Sequence, residues 1–91
     1  MKLIGEGGIY NGMAKAESNE VGIKNECWIH ITQQERQRVK MELIKNGGVI
    51  KRLVIQGNKW IRLKGNGWYK VRVKNNKERN LKVGISIFEK I

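Results

Sequence analysis

The sequence predicts one α+β domain, a single α-helix over about residues 32–46 packed on an antiparallel β-meander of four to six strands. Three observations carry that expectation. From Val49 to the C-terminus, apolar and polar side chains alternate with period 2, the period of a half-buried strand. Short polar segments, most of them containing glycine, separate the alternating runs and read as hairpin turns. Between Thr32 and Asn46 the apolar residues Val39, Leu43 and Ile44, with Met41, read as the core-facing stripe of an amphipathic helix.

The elements follow in chain order. Residues 1–20 carry four glycines and little apolar periodicity, so a strand is expected over Lys2–Ile4 at most and a flexible or weakly ordered segment to residue 20, with the domain proper at 21–91. Met13-Ala14-Lys15-Ala16 resembles an ordinary polypeptide start, and a chain beginning there is expected to keep its cooperative melt. Between Val21 and Ile31, Cys27, Ile29 and Ile31 alternate with Trp28 and His30, a strand. Thr32-Gln33-Gln34-Glu35 is a capping box that would open the helix, and Asn46-Gly47-Gly48 supplies a left-handed stop. Four strands then follow over 49–56, 59–64, 68–74 and 81–88. The apolar side is expected from Ile29, Ile31, Val39, Leu43, Leu53, Ile55, Ile61, Leu63, Val71, Val73, Val83, Ile85 and Ile87.

Composition narrows the function. A chain of 91 residues makes one domain, which buries a little over 60% of its unfolded surface. The single Cys27 cannot form an internal disulfide, and no His/Cys pair has zinc-ligand spacing, so no metal or cofactor is expected and a reducing, cytoplasmic setting is. No apolar run is long enough for a membrane span or a leader. The net charge is +11, from 19 Lys and Arg against 8 Asp and Glu. Up to Lys45 there are 7 bases and 6 acids; beyond it there are 12 and 2. Charge gathered in one half points to a polyanionic partner, RNA or DNA.

The runs 60–64 and 68–74 alternate apolar residues (Ile61, Leu63; Tyr69, Val71, Val73) with basic and aromatic ones. Pairing the two as a hairpin through a three-residue Gly65-Asn66-Gly67 loop keeps apolar opposite apolar. One face then carries Trp60, Arg62, Lys64, Trp68, Lys70, Arg72 and Lys74, with Lys51 and Arg52 at its edge. These are the expected nucleic-acid-binding residues, indoles stacking on bases and cations meeting phosphates. Weak sequence specificity and a binding rather than catalytic role are expected. His30 is the only histidine, Cys27 lies on the apolar face, serine occurs only at Ser18 and Ser86, and Gly5-Glu6-Gly7-Gly8 is not followed by the Gly-Lys-Ser/Thr of a phosphate loop.

Two other functions fit the composition. Trp60-Ile61-Arg62-Leu63 and Tyr69-Lys70-Val71-Arg72-Val73, on a small basic chain with a sheet after a helix, resemble the C-terminal half of RelE/ParE-type toxins over about residues 50–91. That resemblance implies metal-independent mRNA cleavage on the ribosome, or gyrase inhibition in the ParE branch, with Arg62, Tyr69 and Arg72 as the candidates. The family precedes its sheet with a helical hairpin, and Gly84-Ile85-Ser86 stands where it tends to carry a Gly-His-Arg-like segment. The other is a structural or interaction protein without enzymatic activity. A homodimer through an exposed edge at Leu81 to Phe88 is a further expectation.

Overall fold

Alternation of apolar and polar side chains runs through nearly every segment that the computed structural model of the chain describes, namely residues 2–9, 15–33, 38–74 and 82–90. Each such segment is a strand or a connection, and none is helical. The strands are β1 (Lys2–Ile9), β2 (Lys15–Glu17), β3 (Val21–Ile23), β4 (Glu26–Gln33), β5 (Arg38–Lys45), β6 (Gly48–Gln56), β7 (Lys59–Lys64), β8 (Gly67–Lys74) and β9 (Val83–Glu89). They form two antiparallel sheets. The first has the order β1-β9-β4-β7; the second has β2-β8-β5-β6, with β3 pairing β8 beyond β2. One core joins them, built on Ile29, Ile31, Ile85 and Ile87 from the first sheet and Val39, Leu43, Tyr69 and Val71 from the second. Of the apolar residues expected inside, Leu53 and Leu63 are only partly buried and the rest are buried.

The expected α+β class gives way to an all-β fold. Residues 38–45 form β5, a central strand of the second sheet. Val39 and Leu43 alone would share a helical stripe, but Met41 would stand about 200° round the helix from Val39; period 2 takes all three, and two flanking strands bury them. Thr32 and Gln33 belong to β4; Gln34 and Glu35 of the capping box lie outside the described residues. Asn46 and Gly47, with φ of 50° and 85°, form the two-residue turn between paired Lys45 and Gly48. Two consecutive left-handed residues are the requirement of a type I′ hairpin, which Asn-Gly meets best.

The meander also gives way. Among the described residues β5 and β6 are the only consecutive strands that pair with each other. β7 pairs with β4 in the first sheet, and β8 pairs with β2, β3 and β5 in the second, so the Gly65-Asn66-Gly67 hairpin is replaced by a crossing between sheets. Charge separates the two pairings only in part. The expected register sets Arg62 opposite Lys70, a destabilising like-charge pair. The observed ladders set Lys64 opposite Glu26 and Arg72 opposite both Glu17 and Glu42, but also Lys74 opposite both Lys15 and Lys40.

β1 continues past Ile4, where the expected strand stopped, to Ile9 along β9. Its glycines admit a close approach to the second sheet: a Cβ on Gly7 would lie 2.5 Å from the Glu17 carbonyl oxygen. Asn19 fastens the same corner, accepting from the Glu6 amide at 2.9 Å and donating to the Ile4 carbonyl at 3.3 Å. β9 therefore lies between β1 and β4 and offers no free edge for the expected homodimer, while Leu81 lies outside the described residues. Among those residues no helix is long and apolar enough to cross a membrane.

Candidate nucleic-acid interface

The nine residues expected to form one surface fall on opposite sides of the sandwich. Trp60, Arg62 and Lys64 project from β7 on the outer face of the first sheet. Trp68, Lys70, Arg72 and Lys74 project from β8 on the outer face of the second, where Arg52 joins them from β6. Lys51 is exposed at the β6 edge, opposite Leu43 in the ladder.

On the first sheet the outward residues line up in rungs. Arg62, Trp28, Phe88 and Leu3 stand directly opposite one another across β7, β4, β9 and β1; Trp60, His30, Ser86 and Glu6 make the next rung. The Trp60 and His30 rings stack with centroids 4.0 Å apart and planes within 8°. Phe88 meets Trp60 diagonally, at 5.7 Å and 32°. The Arg62 guanidinium sits 5.6 Å from the centre of the Trp28 ring, a cation–π contact. Trp60 keeps 48% of its surface exposed and Leu3 47%. Beyond the stack the following rung is Thr32, Gly84 and Gly8, none of them a large side chain. The result, among the described residues, is an aromatic platform.

Glu26 anchors the cations at one end. It accepts from Arg62 Nε and lies 3.9 Å from Lys90 Nζ. The Arg62 hydrogen bond, and then the Arg62, Lys90 and Lys64 charges, hold its carboxyl below the usual range against the cost of burial. Lys64 has no ion pair within 4.0 Å among the described residues and is exposed. Beneath the platform Cys27 is buried, and its thiol is pushed up to about 11, by burial first and by the Glu26 and Glu89 charges after it. It is packing, not a nucleophile.

The outer face of the second sheet is an ion-pair lattice. Glu17 takes Lys70 and Arg72, each at 3.0 Å, and Glu42 takes Arg52 and Arg72 at 3.1 Å and Lys74 at 3.2 Å. Lys70 and then Arg72 draw the Glu17 carboxyl below the ordinary range; Lys74, ahead of Arg52 and Arg72, does the same for Glu42. These two acids come from the nearly neutral half of the chain, so counting charge along the sequence overstated the free charge on β8. Trp68 is 58% exposed and lies over Gly22, with no aromatic neighbour among the described residues.

Trp28, His30 and Phe88 were not among the expected site residues. Their signal was present in the alternation, which places Trp28 and His30 opposite Cys27, Ile29 and Ile31, and Phe88 opposite Ile85 and Ile87. The identity of the neighbouring strand was missing. The three toxin candidates do not converge: Tyr69 is buried with its hydroxyl donating to the Gly65 carbonyl at 3.4 Å, while Arg62 and Arg72 occupy opposite sheets. Among the described residues no group of three His, Cys, Asp or Glu side chains could hold a metal ion. No protein-family model matches the chain, and no curated protein or solved structure matches it.

Proposed function

We propose that the protein binds RNA or single-stranded DNA across the outer face of the first sheet, with weak sequence specificity. The stacked, half-exposed Trp60–His30 pair beside Arg62 and Lys64 carries this reading. A base has a π-face whatever its identity, so stacking on such a platform is tolerant of sequence and contributes about 1–3 kcal/mol per base. Trp60 offers its open face, Trp28 and Phe88 extend the surface along the neighbouring rung, and Arg62 and Lys64 meet the flanking phosphates. A chain of net charge +11 draws the strand in before any stacking occurs. This is a binder rather than an enzyme, in a setting where Cys27 stays reduced.

The two exposed indoles separate the readings. Trp60→Ala is expected to lose about 1–3 kcal/mol of affinity for an oligothymidylate, with most of the fluorescence quenching, whereas Trp68→Ala keeps both. Affinity should fall steeply with salt, and Arg62→Gln should lower the slope by about one unit. Equal losses from the two tryptophan variants, or salt-independent affinity, would show that the platform is not the interface.

A further inference from the structure

The outer face of the second sheet contains two adjacent rungs with opposite electrostatic character. One reads Glu17, Arg72, Glu42, Arg52 across β2, β8, β5 and β6: strictly alternating, neutral and closed by ion pairs at 3.0 to 3.1 Å. The next, two residues along each strand, reads Lys15, Lys74, Lys40, Val54. Three lysines stand directly opposite one another on three neighbouring strands. Like charges so placed destabilise a sheet about as much as opposite charges stabilise it. Among the described residues the one carboxylate paired with this rung is Glu42, 3.2 Å from Lys74 Nζ and already shared with Arg52 and Arg72. Lys15 and Lys40 meet no carboxylate within 4.0 Å among the described residues.

A depression of about 490 Å³ opens at this place, lined by Lys40, Lys74, Arg52, Glu42 and Val54, with Met41 and Leu53. Three cations against one committed carboxylate leave a positive hollow, and a volume of this size is that of a small-ligand site rather than of a lone ion. The geometry points to a phosphate-binding site: Lys40 and Lys74, with Lys15 beside them and Arg52 across the floor, take the phosphate oxygens of an ester or diester, and exposed Val54 contacts what the phosphate is attached to. An anion seated there offsets the like-charge repulsion among Lys15, Lys74 and Lys40. The site lies on the side of the sandwich opposite the aromatic platform and does not depend on the reading of that platform. If the phosphate belongs to a nucleic-acid backbone, one molecule holds two segments, one on each face.

The experiment follows backbone amide shifts of the full chain while pyrophosphate is added, against sodium chloride at equal ionic strength. Shifts are expected to concentrate at Lys15, Lys40 and Lys74, and the Lys15→Gln/Lys40→Gln variant should weaken the pyrophosphate affinity by about tenfold or more through loss of two charge-assisted contacts. Neither lysine is in an ion pair among the described residues, so the variant should fold, and without ligand it should melt no lower than the parent chain. An oligothymidylate added to Trp60→Ala identifies the source of the phosphate: shifts at the same three lysines mean a nucleic-acid backbone, and their confinement to pyrophosphate means a small phosphorylated ligand. Pyrophosphate shifts no larger than those from chloride, or unchanged in the lysine variant, overturn the site. Tryptophan quenching by oligonucleotide in Trp68→Ala, whose remaining indoles Trp28 and Trp60 both lie on the first sheet, reports separately on that sheet.

Discussion

At the scale of single residues, two glycines show opposite reasons for having no side chain. Gly47 has φ of 85° and empty space where a Cβ would go, so its requirement is purely conformational. Gly47→Ala is therefore expected to cost about 1–2 kcal/mol, the penalty of the left-handed region, measured as a shift in the urea midpoint with binding unchanged. Gly7 is limited by the Glu17 carbonyl instead, and Gly7→Ala must part the two sheets at that corner, costing about 1–3 kcal/mol as overpacking does. The difference between these two was hidden in the sequence. Which side chains face inward was legible, since period 2 alone assigns Ile29, Ile61, Val71 and Ile85 to the core. The stacking of His30 on Trp60 was not, because those residues are thirty positions apart and only the β4–β7 pairing brings them together.

β4 and the strands after Gly48 were readable, whereas β5 was expected as a helix, β1 only to Ile4 and β2 not at all, and the pairing partners were not readable. β7 and β8 were each identifiable by alternation, yet the short polar segment between them looked like a hairpin turn, whereas each strand pairs with strands that set glutamates against its cations. Glu17, Glu26 and Glu42, scattered through the first half of the chain, are the ion-pair partners of those basic strands. β5 was misread because Val39, Leu43 and Ile44 suggest a helical stripe, whereas Val39, Met41 and Leu43 all face inward only at period 2, as they do between two sheet neighbours. β1 gives the test at this scale. It pairs with β9 from Lys2 to Ile9, and Asn19 fastens it to the second sheet, so a chain beginning at Met13 leaves one side of β9 unpaired. Such a chain is expected to melt markedly below the full chain; equal midpoints would mean that β9 needs β4 alone.

For the whole molecule the net charge of +11 sets the response to acid. Glu17, Glu26 and Glu42 are all held below the ordinary 4.5 by cations that the fold brings to them. An unfolded chain binds their protons first as pH falls, so the stability they contribute is complete above about pH 4.5 and is lost progressively below it. Urea midpoints should be level down to about pH 5 and then fall, and Glu42→Gln should be less stable at neutral pH and decline less on acidification. A midpoint unchanged from about pH 6 to 3 would mean that the lattice contributes nothing. The topology has a further effect, on time rather than energy. Among the described strands only the β5–β6 hairpin closes locally; β1 finds its partner in β9, at the other end of the chain. Non-local pairing of this kind slows folding to about milliseconds to seconds, with the Asn46-Gly47 turn as the natural first step. During synthesis β1 and β4 emerge well before β9, the strand that lies between them, so a nascent chain holds the aromatic side of the first sheet unfinished until β9 has left the ribosome.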